Sequence, residues 1–199
     1  MVILYKMKKV FDSNNGYAST DEIRKRGIAY SDIQKHLKAG KIKRIRRGFY
    51  KWHITDETNE AATVAGLFPD GVLCMDTALF HYGYSDRTPA EWHIAVDKDS
   101  SKIRFNISYP FVKPYYFEPD KLIIGITKEM INGIEVSMYD RDRVICDCLR
   151  NINKMDKEIF NKAIQSYVAD SQKNISNLTA YAKKLHVYKK VQSWIGVWL

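Results

Sequence analysis

Hydrophobic residues recur with a helical period over residues 3–40. A first helix is predicted from Ile3, Leu4, Met7, Val10 and Phe11, and Asn14-Asn15-Gly16 is a stop signal after it. Tyr17-Ala18 is expected to be a short extended segment. A second, short helix is predicted to begin within Ser19-Thr20-Asp21-Glu22, where a hydroxyl can cap it and acids favour its first turn, and to end at Gly27.

A third helix is predicted to begin with Ser31 as its N-cap and to end at Gly40. Ile33 and Leu37 lie one turn apart and face inward, while the polar residues Asp32, Gln34, Lys35 and Lys38 face outward. Two short helices joined by a tight turn are typical of a helix-turn-helix.

Residues 41–50 then predict a hairpin with apolar residues inside and basic residues outside, which is the pattern of a wing. In a winged module the helix after Ser31 enters the major groove, and the wing lies on the phosphate backbone or in the adjacent minor groove. Gln34 and Lys35 are expected to read bases. The predicted DNA-binding residues are Ser31, Asp32, Gln34, Lys35, Lys38, Lys41, Lys43, Arg44, Arg46 and Arg47.

The positive charge of the chain is concentrated in this same segment. Residues 1–52 contain 14 Lys/Arg and 4 Asp/Glu, whereas the rest contains 18 and 19, so the net charge falls from +10 to −1. Such a local excess favours a nucleic-acid docking surface. A protein-docking domain with a solvated charged face is the alternative. The charge step predicts two domains, with residues 1–56 as the DNA-binding domain and residues 57–199 as the second.

The second domain changes from helix to strand and back to helix. Helices are predicted over residues 57–68 and from Thr77 to Gly83, the latter capped by Asp76 or Thr77. Strands are predicted over residues 91–96, 103–109, 122–127 and 134–138. Apolar stripes then predict helices after Asp140, after Asp156 and around Leu178, and a last one reaching Trp198 and Leu199. The expected fold is α+β, a winged helix-turn-helix followed by a small mixed sheet packed with several helices.

Other features narrow the classes of function. The three cysteines are expected to be core thiols, and neither Cys146-x-Cys148 nor the spacing of the five histidines predicts a metal site. No cofactor motif is present: the sequence lacks a P-loop, a Gly-x-Gly-x-x-Gly and a Gly-x-Ser-x-Gly. No apolar stretch has the length of a transmembrane helix or of a secretion signal, so we expect a cytoplasmic protein with no membrane association.

Arg143, Asp147 and Arg150 fall at positions i, i+4 and i+7 of the helix after Asp140, opposite its apolar stripe. This spacing predicts a solvated ladder of ion pairs on the helix surface, worth a few tenths of a kcal/mol per pair. The alternative is an arginine-bearing face that binds a partner or RNA, in which case Arg143, Asp147 and Arg150 would form a toxin-neutralising or partner surface.

Two other functions remain open at this stage. A metal-dependent nuclease could use Glu91, His93, Asp97 and Asp99, although Asp97-Lys98-Asp99 also fits a polar turn. A ligand-responsive repressor could use an aromatic pocket in the second domain, for which the candidates are Tyr82, Tyr84, Trp92, Tyr109, Phe111, Tyr115, Tyr116 and Phe117.

Four segments together resemble a known family. They are Gly27-Ile28, the basic run over residues 40–50, the run over residues 76–89 that begins Asp76-Thr77-Ala78-Leu79, and the run over residues 139–150. Their order and spacing resemble the AbiEi antitoxins of abortive-infection toxin-antitoxin systems over nearly the whole chain.

The resemblance implies a non-enzymatic antitoxin and autorepressor. The winged domain would bind inverted repeats in double-stranded DNA of its own promoter, as a monomer in solution that is cooperative on DNA. The second domain would counteract an AbiEii-like nucleotidyltransferase toxin without a stable complex, as a type IV system in phage defence.

Overall fold

The computed structural model describes residues 2–52 and 59–196. The chain divides into two compact units, which we call the N-terminal unit (Met1–Pro69 with Ile131–Ile134) and the C-terminal unit (Asp70–Met130 with Glu135–Leu199). The boundary expected at residue 56 lies outside the described residues, and so do Trp198 and Leu199.

The N-terminal unit has the element order of a winged helix-turn-helix. Three helices and three strands alternate as α1 (Val2–Asp12), β1 (Tyr17–Ser19), α2 (Thr20–Lys25), α3 (Tyr30–Lys38), β2 (Ile42–Arg46) and β3 (Phe49–Trp52). The strands form an antiparallel sheet in the order β1-β3-β2. The winged helix-turn-helix predicted from the sequence is therefore confirmed.

Local signals in the sequence explain these boundaries. Ser19 caps α2 in a capping box: the backbone N–H of Glu22 donates to the Ser19 hydroxyl, and the backbone N–H of Ser19 donates to the Glu22 carboxylate. Gly27 and Gly40 follow α2 and α3 with φ of +76° and +67°, a backbone region that glycine adopts at little cost.

A fourth helix, α4 (Glu60–Leu67), also belongs to the N-terminal unit. Its Thr63 hydroxyl is hydrogen-bonded to the buried Tyr17 hydroxyl of β1. A methyl group at Gly66 would come within 2.7 Å of the Tyr17 ring, so only glycine allows this approach. The unit consequently extends to Pro69, beyond the boundary expected from the charge step; the assignment of one task to each domain stays a prediction.

The C-terminal unit is built on a five-stranded mixed sheet, as expected. The strands are β4 (Val72–Leu73), β5 (Trp92–Asp97), β6 (Val112–Phe117), β7 (Ile126–Ile131) and β8 (Ile134–Tyr139), in the order β6-β5-β4-β8-β7. β4 is antiparallel to β5 and parallel to β8, and β5 is parallel to β6.

The helices of this unit are α5 (Met75–His81), α6 (Pro119–Leu122), α7 (Arg141–Arg150), α8 (Lys157–Ala169), α9 (Ile175–Lys184) and α10 (Tyr188–Trp194). The side chains of Asp140 and Asp156 cap α7 and α8. α7 is the central helix, since α5, α8, α9 and α10 all pack against it. The three cysteines are buried and free, as predicted.

Two predicted strands and one predicted cap are wrong in detail. The first part of residues 103–109 lies in a 3₁₀ helix, Lys102–Phe105, and Ile103 and Tyr109 are exposed, so the apolar alternation there marks no buried strand face. Residues 122–127 divide between the end of α6 and the start of β7. Cys74 is the N-cap of α5, and the Thr77 hydroxyl instead accepts the backbone N–H of His93 at 2.8 Å.

Candidate nucleic-acid interface

The turn between α2 and α3 is fixed by a small apolar core. Ile23, Ile28 and Ile33, from α2, the turn and α3, are at most 3% exposed and pack with Met7 and Phe11 of α1. Because the inner faces of both helices are buried, their outer faces are the surfaces available to a partner.

The exposed face of α3 is centred on Ser31, Lys35 and Lys38, which follow one another at i, i+4 and i+7. Asp32 and Gln34 flank this row and are half-buried. The N-cap of α3 is Ala29 rather than Ser31, so the capping role predicted for Ser31 is wrong. Ser31 lies in the first turn of α3 and is exposed.

Lys35 is the most prominent cation of this row. Its side chain is 75% exposed, and its Nζ lies 3.4 Å from the Asp32 carboxylate. An exposed pair of this kind stabilises the fold by less than about 1 kcal/mol, so little free energy is needed to release Lys35 from Asp32.

The end of α3 leads directly into the wing. The backbone N–H of Lys41 donates to His36 O at 3.0 Å, and that of Gly40 donates to Leu37 O at 3.1 Å, which are the two bonds of a Schellman motif. This turn leaves Lys41 exposed between α3 and β2.

The wing contains a bulge in β2, which bears on the spacing of its apolar residues Ile42 and Ile45. Arg44 pairs with Tyr50 but Arg46 pairs with Phe49, so Ile45 is the extra residue of β2. Without this bulge Ile42 and Ile45, three positions apart, would point to opposite faces. Lys43, Arg44 and Arg47 are exposed, as predicted.

Arg46 differs from these three basic residues. Its guanidinium lies 4.7 Å from the centre of the Phe49 ring, and its Nη2 donates to Leu67 O at 3.5 Å. The side chain is half-buried against its own unit. The geometry therefore assigns Arg46 a part in packing that the basic pattern did not indicate.

The comparisons with known proteins bear on this module. Residues 5–50 match the family model described as a transcriptional regulator, AbiEi antitoxin. The N-terminal segment thus matches the AbiEi antitoxin regulators. This match confirms the resemblance expected from the sequence, over the segment that contains α2, α3 and most of the wing.

The fold is also similar to that of a solved structure, the Rv2827c protein from Mycobacterium tuberculosis. The TM-score is 0.56 at 12% sequence identity, over 94% of this chain and 77% of that one, so the likeness concerns the fold alone. No curated protein matches the sequence. Within the described residues, no helix is long and apolar enough to cross a membrane.

The N-terminal unit exposes further basic residues outside the set predicted from the sequence. Arg24, Lys25 and Arg26 are all exposed at the end of α2, and Tyr30, the first residue of α3, is 51% exposed. The first helix of a helix-turn-helix crosses the DNA backbone, which suits a basic C-terminal end. The run of three basic residues before Gly27 is the signal that could have identified this end of the surface.

The ladder predicted on α7 is not a surface. Arg143 and Asp147 are 0% and 1% exposed, and Arg143 Nε donates to the Asp147 carboxylate at 3.0 Å. Only Arg150 is exposed, with its guanidinium 5.3 Å from the centre of the Phe117 ring. The solvated ladder is therefore wrong, because α7 is covered by other helices on several sides, and Arg143 and Asp147 are inaccessible to a partner.

Arg143 instead organises the loop that precedes β7. Its Nη1 donates to the carbonyl oxygens of Lys121 and Ile124, both at 2.7 Å, and its guanidinium lies 3.9 Å from the centre of the Tyr139 ring. Burial raises the pKa of the Asp147 carboxyl, whereas the neighbouring Arg143 lowers it. The pair is a buried structural element of the C-terminal unit.

The residues of the nuclease hypothesis do not form a metal site. Glu91 and Asp99 are exposed, and the Asp97 carboxylate accepts the backbone N–H of Asp99 at 2.8 Å, which is the polar turn considered as the alternative. Burial lowers the pKa of His93 to about 4. Among the described residues, no group of three or more His, Cys, Asp or Glu side chains could hold a metal ion.

The aromatic residues of the ligand hypothesis fall into separate groups. Tyr82 lies beside Tyr84, with ring centres 6.0 Å apart, whereas Tyr115 lies against His93 and Tyr109 against Phe111. Tyr84 and Phe117 are buried, and Tyr109 and Phe111 are at least half exposed. This arrangement is that of core and surface aromatics rather than of one shared pocket lining.

Proposed function

We propose that this chain is an antitoxin and transcriptional autorepressor, in which the winged module binds inverted repeats in the promoter of its own operon. The C-terminal unit counteracts an AbiEii-like nucleotidyltransferase toxin without forming a stable complex, as a type IV system in phage defence. The proposal is supported by the match of residues 5–50 to AbiEi antitoxin regulators.

The observation that carries DNA binding is the exposed basic surface formed by α3 and the wing. Lys35 and Lys38 are exposed on α3, and Lys43, Arg44 and Arg47 are exposed on the wing, outside the buried core of the module. Cations on two adjacent elements can neutralise phosphates on either side of a groove while the helix between them reaches base edges.

Each element has its own task in this proposal. Ser31, Gln34 and Lys35 lie near the start of α3, where a recognition helix reads bases, and Asp32 can accept a hydrogen bond from a cytosine amino group. Arg47 and the basic end of α2 bind phosphates on the flanks. The resulting contacts give affinity through the backbone and sequence preference through α3.

The protein binds its promoter cooperatively as a monomer that occupies each inverted repeat, and it acts in the cytoplasm, where that promoter lies. It is not an enzyme: the toxin is opposed without turnover by the antitoxin.

Footprinting of the operon promoter with the full-length protein tests DNA binding. We expect protection of two inverted repeats, with affinity that falls steeply as salt rises. Lys35→Ala should weaken protection, whereas Lys8→Ala, an exposed lysine of α1 paired with Asp12, should leave it unchanged. An unprotected promoter at low salt, or equal losses in both variants, contradicts the proposal.

A second experiment separates repression from antitoxin activity in the full-length chain. A variant with Lys35→Ala, Lys38→Ala and Arg47→Ala changes three exposed side chains and should remain folded. It should lose promoter repression and still rescue cells that express the toxin. Loss of both activities in a folded variant would contradict the division of tasks between the two units.

A further inference from the structure

The tip of the wing is hydrogen-bonded to the first residue of α2. Gly48 O, in the turn between β2 and β3, accepts the backbone N–H of Thr20 at 2.8 Å and the Thr20 hydroxyl at 3.3 Å. Thr20 is the first residue of α2, and an N–H at that position finds no acceptor within its own helix. One residue therefore provides two donors to one carbonyl of the wing.

This tie lies just beyond the regular strand pairing. Ser19 is the last residue of β1 and pairs with Phe49, so Thr20 and Gly48 are the next residues on each side. Gly48 has φ of +75°, which glycine adopts readily and which orients the turn. Arg47, the exposed cation of the tip, directly precedes Gly48.

We propose that Thr20 is a positioning residue that fixes the wing tip relative to the helix-turn-helix, so that Arg47 and α3 reach the same DNA site together. The inference rests on the proposed function as a DNA-binding repressor. The turn that contains Arg47 and Gly48 lies beyond the pairing of β1 with β3, and without the tie it would have to be ordered on binding, at a cost in affinity. The tie provides that ordering in the free protein.

Thr20→Pro removes both donors while it suits the helix. Proline is favoured at the first position of a helix, and Ser19 before it is extended, with φ −80° and ψ 160°, as a residue before proline prefers. The capping box between Ser19 and Glu22 does not involve the Thr20 side chain or N–H. Thr20→Ser is the matched control, because serine retains both donors.

The test is a double-mutant cycle with Arg47→Ala in the full-length protein, measured on operator DNA over a range of salt. Arg47→Ala alone should weaken binding about tenfold and lower the slope of log K against log salt by about 0.9, the value for one phosphate contact. Thr20→Pro should have a similar effect, and adding Arg47→Ala to it should cost less than about twofold more. Thr20→Ser should bind like the wild type.

The outcomes separate this inference from the proposed function. If the wild-type protein shows no salt-dependent operator binding, the proposed function fails. If the wild type binds, two results overturn the inference that Thr20 positions the wing. Either Arg47→Ala lowers operator affinity by the same factor in the Thr20→Pro protein as in the wild type, or Arg47→Ala does not lower the affinity of the wild type at all. Thermal melting by circular dichroism reports folding. Should Thr20→Pro unfold, Thr20→Val removes the hydroxyl bond alone, and an unchanged cost of Arg47→Ala in that background also overturns the inference.

Discussion

Replacing Arg143 by methionine should destabilise the C-terminal unit far more than a change at a surface arginine. The substitution removes the donor to Asp147 and both donors to the carbonyl oxygens of Lys121 and Ile124. Methionine retains part of the buried volume, so the loss comes mainly from polar groups left unpaired. Removing one partner of a buried ion pair costs about 3–5 kcal/mol, and we expect a loss in that range.

The loss of stability in Arg143→Met should depend on pH, and the pKa of Asp147 decides whether it grows or shrinks as pH rises. Burial already raises the pKa of this carboxyl in the wild type above the value of an unfolded aspartate, about 3.9, and without Arg143 only Arg150 is left to lower it, so the pKa rises further. The folded variant then binds a proton that its unfolded state has lost, so its stability falls as pH rises through that window. The free energy of unfolding of Arg143→Met should therefore be further below that of the wild type at pH 8 than at pH 5.

Urea unfolding of the full-length protein, followed by circular dichroism at pH 5 and pH 8, measures both effects. The double variant Arg143→Met with Asp147→Leu should recover most of the loss, because no charge remains buried. Arg150→Met, on the exposed end of the same helix, should change the free energy of unfolding by less than about 1 kcal/mol. A loss below about 1 kcal/mol for Arg143→Met, or a double variant no more stable than it, would refute the reasoning.

Three further predictions concern DNA binding, the packing of Arg46 and the nuclease alternative. Gln34→Ala and Lys35→Ala should each reduce discrimination between operator and random DNA by about 1–3 kcal/mol in binding assays. Arg47→Ala should instead weaken binding to both DNAs alike. Equal losses of affinity for both DNAs in the Gln34 and Lys35 variants would show that these residues contact the DNA backbone and do not read bases. Arg46→Ala should lower the melting temperature of the protein, since its guanidinium packs on Phe49, and should leave the salt slope of binding unchanged. Incubation of DNA with the purified protein and Mg²⁺ or Mn²⁺ should give no cleavage, and turnover that disappears in Asp97→Ala would show the nuclease alternative to be correct.

The winged helix-turn-helix was predictable because its signals are local. A capping hydroxyl at Ser19, left-handed glycines at 27 and 40, and apolar residues one turn apart act within a few residues of the chain. Net charge is equally independent of folding, so the position of the basic surface along the chain followed from composition. The same locality explains why the helices predicted after Asp140 and after Asp156 begin there in the structure.

Burial and long-range contacts, in contrast, depended on how the helices and strands pack against one another. Helical spacing placed Arg143 and Asp147 on one face of α7, but only the packing of neighbouring helices decided that this face is buried. Likewise, residues 103–109 have the alternation of a strand, but Ile103 and Tyr109 are exposed, and β6 (Val112–Phe117) pairs with β5 instead. The tie between Thr20 and Gly48 joins residues far apart in sequence. Periodicity specifies which residues share a face, whereas burial and long-range hydrogen bonds depend on the partners that the tertiary fold brings to it.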